Sequence, residues 1–145
     1  MRTYRFTSSL FDVEPGEDEE INPRMYGRQF AAWLKVQLDQ RGQPVDCVVA
    51  EDWGRCLMVD GREEFSLWVG CGSSVDYDTA KEGDPPPPRE SIVWHCFAEA
   101  ELTLWQRFVK RLDATSALEK LDRDLREILS GEPAIQIIEV RDRAT

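Results

Sequence analysis

Val45-Asp-Cys-Val-Val-Ala-Glu-Asp-Trp-Gly-Arg-Cys-Leu-Met-Val-Asp-Gly-Arg-Glu-Glu-Phe-Ser-Leu-Trp-Val-Gly-Cys71 is the stretch on which the fold turns. It holds three short runs rich in β-branched and aromatic residues, Val45–Ala50, Arg55–Val59 and Phe65–Cys71, which read as strands. Asp52-Trp-Gly makes a tight turn between the first two, and Asp60-Gly61 supplies residues that tolerate the positive φ of a hairpin turn before the third. The connections are too short for a crossover helix, so the three runs form an antiparallel meander.

Upstream, residues 3–13 alternate and carry aromatic and β-branched residues, which predicts a first strand. Glu14 to Glu20 is an acidic, turn-rich loop, and Asn22-Pro23 then gives an N-cap side chain followed by proline at the first helical position. Tyr26, Phe30, Trp33, Leu34 and Leu38 fall on one face of a helix expected over 23–41, closed by Gly42.

Downstream, a long loop from Gly72 to Glu90 contains Pro85 to Pro88, which favour an extended polyproline II segment, and a fourth strand is expected over Ser91–Ala98. Leu102, Trp105, Phe108, Val109 and Leu112 make a helical stripe. Ser116 with Glu119 fits a capping box for a second helix, striped by Leu118, Leu121, Leu125, Ile128 and Leu129 and ended by Gly131. Its outer face offers Glu119–Arg123 and Asp122–Arg126 pairs at i,i+4. Residues 134–140 read as a final strand. The resulting order, β-α-β-β-β-β-α-α-β, predicts an α+β fold with a mostly antiparallel sheet and helices packed on one face.

At 145 residues the chain is expected to be a single domain, 1–145, large enough to bury a core without staples. It has no apolar run long enough to span a bilayer, and Met1 to Phe6 does not resemble a signal peptide, so the cytoplasm is the expected compartment. Cys47, Cys56, Cys71 and Cys96 sit singly inside apolar runs, one per predicted strand, and read as four core thiols. Net charge is −10, with 19 acids against 10 bases in residues 1–100 and 9 against 8 in residues 101–145. Such a surface repels phosphate backbones, which disfavours direct nucleic-acid binding, and attracts basic protein patches. The same charge also simply keeps a protein soluble.

No arrangement of residues reaches a catalytic motif. The cysteines and His95 lack a C-x-x-C knuckle, so no metal is expected, and no cofactor is implied. His95 is the only histidine; Cys96 would point to the opposite sheet face from it, whereas Cys71 or Cys56 could approach it from a neighbouring strand. Glu51 and Asp52 beside Trp53 could perform acid–base work or, with Asp60, hold a divalent cation, although adjacent carboxylates usually diverge. Val69-Gly-Cys-Gly-Ser-Ser74 leads into an acidic loop and lacks the signature of a phosphate cradle. The most distinctive feature is Glu14, Glu17, Asp18, Glu19 and Glu20, five acids in seven residues, echoed by Asp76, Asp78, Glu82 and Asp84. Should both stretches reach one edge of the sheet, they would form a single negative field with Trp53 or Trp68 as an aromatic anchor; otherwise they are two solvated loops.

The stretches Glu51 to Val59 and Leu67 to Gly72, with Asn22 to Arg28 and Leu104 to Phe108, resemble small uncharacterised bacterial α+β domains. In size, acidity and layout the chain is also similar to immunity proteins that neutralise bacterial toxins. That resemblance implies a protein-binding module, an immunity-type inhibitor of a basic toxin or effector, and identifies no binding residues; the charge and aromatic reading places the expected contact at Glu14, Glu17, Asp18, Glu19, Glu20, Glu51, Asp52, Trp53, Asp76 and Asp78. The alternative expectation is an enzyme or small-ligand binder with a pocket around Glu51, Asp52, Trp53 and His95. The sequence leaves strand order and oligomeric state open.

Overall fold

The computed structural model describes residues 2–14, 26–59, 63–74 and 88–143. Six strands, β1 (Arg2–Ser8), β2 (Val45–Glu51), β3 (Gly54–Val59), β4 (Ser66–Ser74), β5 (Val93–Glu101) and β6 (Ile135–Asp142), form one antiparallel sheet. Their order across it is β2-β3-β4-β5-β1-β6. Three α-helices, α1 (Arg28–Gln40), α2 (Leu104–Phe108) and α3 (Thr115–Gly131), and a short 3₁₀ turn at Arg89–Ser91 complete an α+β fold in the expected element order. The meander of β2, β3 and β4 is present, and β1 lies between β5 and β6, bonded on both sides.

Helices α1 and α3 cover one face of the sheet. Phe30, Leu34 and Leu38 of α1 and Leu121, Leu125 and Leu129 of α3, each spaced four apart, are fully buried against Tyr4, Phe6, Leu57, Val69, Trp94 and Cys96. Each such side chain withdrawn from water stabilises the fold by roughly 1.5–3 kcal/mol. Gly42, at φ +79°, takes the left-handed conformation after α1, as expected, and the next amide donates back to the carbonyl of Leu38 at 2.9 Å. Asp39 then joins helix to sheet, accepting from Lys35 Nζ and the Val45 amide, both at 2.8 Å; these bonds hold its carboxyl below the usual carboxylate range.

The boundaries depart from expectation where a tertiary partner competes with a local signal. Helix α1 begins at Arg28 instead of Pro23, because the Tyr26 amide donates to Ser73 Oγ on β4 and Gly27 is non-helical at φ +143°. Asn22-Pro23 and the Asp60-Gly61 turn lie outside the described residues. Strand β1 stops at Ser8, well before Val13: Ser8 Oγ accepts from the Leu10 amide and donates to the Ala134 carbonyl, which turns the chain and sends Phe11 into the core. Residues 89–91 form the 3₁₀ turn, so β5 starts at Val93 and runs on to Glu101.

At the start of α3, Asp113 accepts from the backbone and side chain of Thr115, so the expected Ser116–Glu119 box does not form. A capping box does occur, at Thr103 and Gln106 of α2. Neither expected i,i+4 pair on α3 forms among the described residues; Asp122 instead accepts the Tyr4 hydroxyl at 3.0 Å. The stripe expected over 102–112 also fails to become a core face. Only Leu102 and Leu112 pack against the core, whereas Leu104, Trp105, Phe108 and Val109 are 56–74% exposed. Helix α2 spans five residues before Arg111 adopts φ +55°, and Gln106 Nε2 ties it to the Glu64 carbonyl at 2.6 Å, a position that points its rings outward. Cys56, Cys71 and Cys96 are buried thiols, but Cys47 is exposed, since β2 is an edge strand whose residues after Val45 face solvent.

Candidate functional site

No helix of the described residues covers the other face of the sheet, and strand alternation fixes what that face displays. Register places Cys56, Gly70, Phe97 and Thr3 in one rank across β3, β4, β5 and β1. Met58, Trp68 and Glu99 form the next rank on one side, and Gly72, His95 and Arg5 the next on the other. Two glycines of β4 flatten this surface. A Cβ at Gly70 would stand 2.5 Å from Phe97 Cζ and 2.9 Å from Trp53 Cη2, and one at Gly72 would collide with the His95 ring and approach the Trp53 carbonyl at 3.1 Å. Trp53 therefore folds back from the β2–β3 turn over β4. It meets Trp68 with ring centroids 6.0 Å apart and Phe97 at 5.7 Å, while Trp68 and Phe97 meet edge-to-face at 5.6 Å.

Charge frames these rings. The Arg143 guanidinium lies 4.1 Å over the Phe97 ring and pairs with Glu99. Arg5 and Arg141 both pair with Glu139, at 2.7 Å each, and these bonds hold the Glu139 carboxyl below its usual range. Beside the rings lies an open groove of about 470 Å³, walled by Val49, Met58, Trp53 and Trp68, floored by Cys56, and bounded by the carboxylates of Glu51 and Glu101. Burial and then both carboxylates push the Cys56 thiol up to about 11. Neither the Glu51 nor the Glu101 side chain has a hydrogen-bond or ion-pair partner among the described residues.

Glu51, Asp52 and Trp53 lie together on the exposed β2–β3 turn, at the end of the sheet where β4 finishes and β5 begins. Glu14 is part-buried and pairs with Arg28 at 2.7 Å. Glu17, Asp18, Glu19, Glu20, Asp76 and Asp78 lie outside the described residues, as do Asp60, Glu82 and Asp84. The residues flanking the two acidic stretches are close-set: Tyr26 bonds Ser73, Arg28 pairs with Glu14, and Arg89 pairs with Asp12 at 3.1 Å and donates to the Ser9 carbonyl.

His95 and the Trp53 carbonyl share the surface of Gly72, so the alternative site does bring two of its parts together. The thiols do not join them. Cys71 and Cys96 project to the covered face and their burial pushes both thiols up, and Cys56 lies on β3 with β4 between it and His95, in the neighbouring rank. Burial and the neighbouring Arg5 lower the His95 pKa, which keeps the imidazole neutral at pH 7. Among the described residues no three His, Cys, Asp or Glu side chains are grouped to hold a metal ion, and no helix is long and apolar enough to cross a membrane.

Trp68 was legible as an anchor, but Glu101, Phe97 and Arg143 were not singled out by sequence. The signal for two of them was present: odd-numbered residues 93–101 alternate with the apolar Trp94, Cys96 and Ala98, which assigns Phe97 and Glu101 to the face with His95. Comparison with protein-family models, with curated proteins and with solved structures finds no match.

Proposed function

We propose that this chain is a protein-binding module that takes a basic protein partner against the acidic end of its sheet. The partner class expected from the resemblance to immunity proteins is a bacterial toxin or effector, with this chain as its cytoplasmic inhibitor. What supports the reading is the position of the described residues around the acidic stretches. Glu14 and Tyr26 bracket one stretch, Ser74 and Pro88 the other, and these brackets adjoin at the sheet end that also carries Glu51 and Asp52. Opposite charge concentrated at one end speeds encounter with a basic surface and orients it, and the effect falls with salt.

The test compares capture from cell lysate by the native chain and by the E17K/D18K/E19K variant, each at low and high salt. A protein retained by the native chain at low salt, released at high salt and lost with the charge-reversed bait is the expected result. The same protein held equally by both baits at both salt concentrations would rule the acidic end out.

A further inference from the structure

The groove on the uncovered sheet face has the chemistry of a site for one particular group. Trp53 and Trp68 wall it with Val49 and Met58, and Glu51 and Glu101, which have no hydrogen-bond or ion-pair partner among the described residues, bound it. An ammonium or guanidinium fits both features at once, since a ring face attracts cations and a carboxylate accepts charge-assisted hydrogen bonds. An anionic group would be repelled by both exposed carboxylates, and a neutral group would gain from neither.

The same face shows how this chemistry looks when filled. In the same ranks but on β5, Arg143 lies 4.1 Å over the Phe97 ring and pairs with Glu99, two residues from Glu101. Trp53 and Trp68 flank Phe97 and continue the aromatic surface toward Glu51 and Glu101, where the described chain supplies no cation. Planar, weakly hydrated guanidinium stacks on rings better than the compact ammonium of lysine.

Building on the reading above, we propose that the groove of Trp53, Trp68, Glu51 and Glu101 receives an arginine side chain of the basic protein partner. Arg143 on Phe97 is its internal counterpart. The groove reaches away from the acidic end, because Glu101 pairs with Ser66 at the far end of β4. Glu101 can therefore be altered without touching the acidic stretches.

The experiment is a titration of the full-length chain with acetyl-arginine amide, followed by NMR at the indole N–H groups of Trp53 and Trp68, with acetyl-lysine amide and the neutral acetyl-citrulline amide as comparison probes. Saturable shifts at both indoles are expected with arginine, weaker ones with lysine and none with citrulline. E101Q should weaken the arginine response about tenfold, the loss expected for one charge-assisted hydrogen bond. W53L, which keeps an apolar cover without a ring face, should weaken it about threefold. Citrulline shifts equal to those of arginine, or arginine shifts unchanged by E101Q, would overturn the proposal. E17K/D18K/E19K should leave the arginine titration nearly unchanged. A failed groove with charge-sensitive partner capture would thus refute only this inference, and loss of both would refute the broader reading as well.

Discussion

The two faces of the sheet both carry aromatic clusters, and they are put to opposite ends. On the covered face Phe6, Phe11, Phe30, Trp33 and Trp94 meet at centroid distances of 5.1–5.8 Å beneath α1, enclosed by aliphatic side chains. On the uncovered face Trp53, Trp68 and Phe97 meet at 5.6–6.0 Å, but their surroundings are Glu51, Glu99, Glu101 and Arg143. Ring spacing is similar in the two clusters; solvent and charge distinguish them. An enclosed cluster contributes mainly to stability, while one rimmed by carboxylates offers recognition chemistry at a smaller cost to the fold.

Substitutions on the two faces should separate these roles. The largest effect is expected on the covered face, where Leu125 is fully buried between helix and sheet. Leu125→Ala removes buried methyl groups and opens a cavity, and should destabilise the chain by about 2–5 kcal/mol in urea unfolding. On the uncovered face Gly70→Ala would place a methyl group under Phe97 and Trp53. The rings can lift, so the expected cost is about 1–3 kcal/mol, accompanied by a change in tryptophan fluorescence. An unchanged spectrum would show that the rings do not rest on β4.

The third test lies at the junction of sheet and α3. Tyr4 donates to Asp122, and burial together with that carboxylate pushes the phenol up to about 12. A phenol raised above its unfolded value, about 10, stabilises the fold fully below that pH, and the contribution is lost as pH rises toward 12. Tyr4→Phe should cost about 1 kcal/mol at neutral pH. It should also flatten the loss of stability between about pH 10 and pH 12, measured as the difference between the two urea-unfolding series. Parallel losses in both proteins would assign the alkaline effect to other groups.

Much of the architecture was legible because its signals are local. The spacing of Phe30, Leu34 and Leu38, the turn capacity of Gly42 and the alternation within β3 to β5 each depend on residues a few positions apart. The misreadings also have a common cause. The helical period over 102–112 is genuine, yet the Gln106 bond to Glu64 and the φ of Arg111 turn its rings to solvent. Asn22-Pro23 is a sound start signal, yet helix α1 waits until Arg28 because Ser73, 47 residues from Tyr26, claims the Tyr26 amide. A periodicity states which residues share a face, and the partner that covers the face is a separate, long-range matter. Of the candidate site, Glu51, Asp52, Trp53 and Trp68 were identifiable as charged and aromatic residues near a sheet end, but Glu101 was not, being 50 residues from Glu51.

The sequence by itself determined the order of elements, the antiparallel meander, the buried stripes of α1 and α3 and the strong negative charge, since pitch, turn conformation and ionisation are properties of short segments and single side chains. Tertiary structure alone decided that β1 inserts between β5 and β6, that α2 faces water, and that Glu51 and Glu101 bound one groove. Those outcomes rest on hydrogen bonds and contacts between distant parts of the chain, formed by whichever pairing buries the most apolar surface while leaving the fewest backbone groups unbonded.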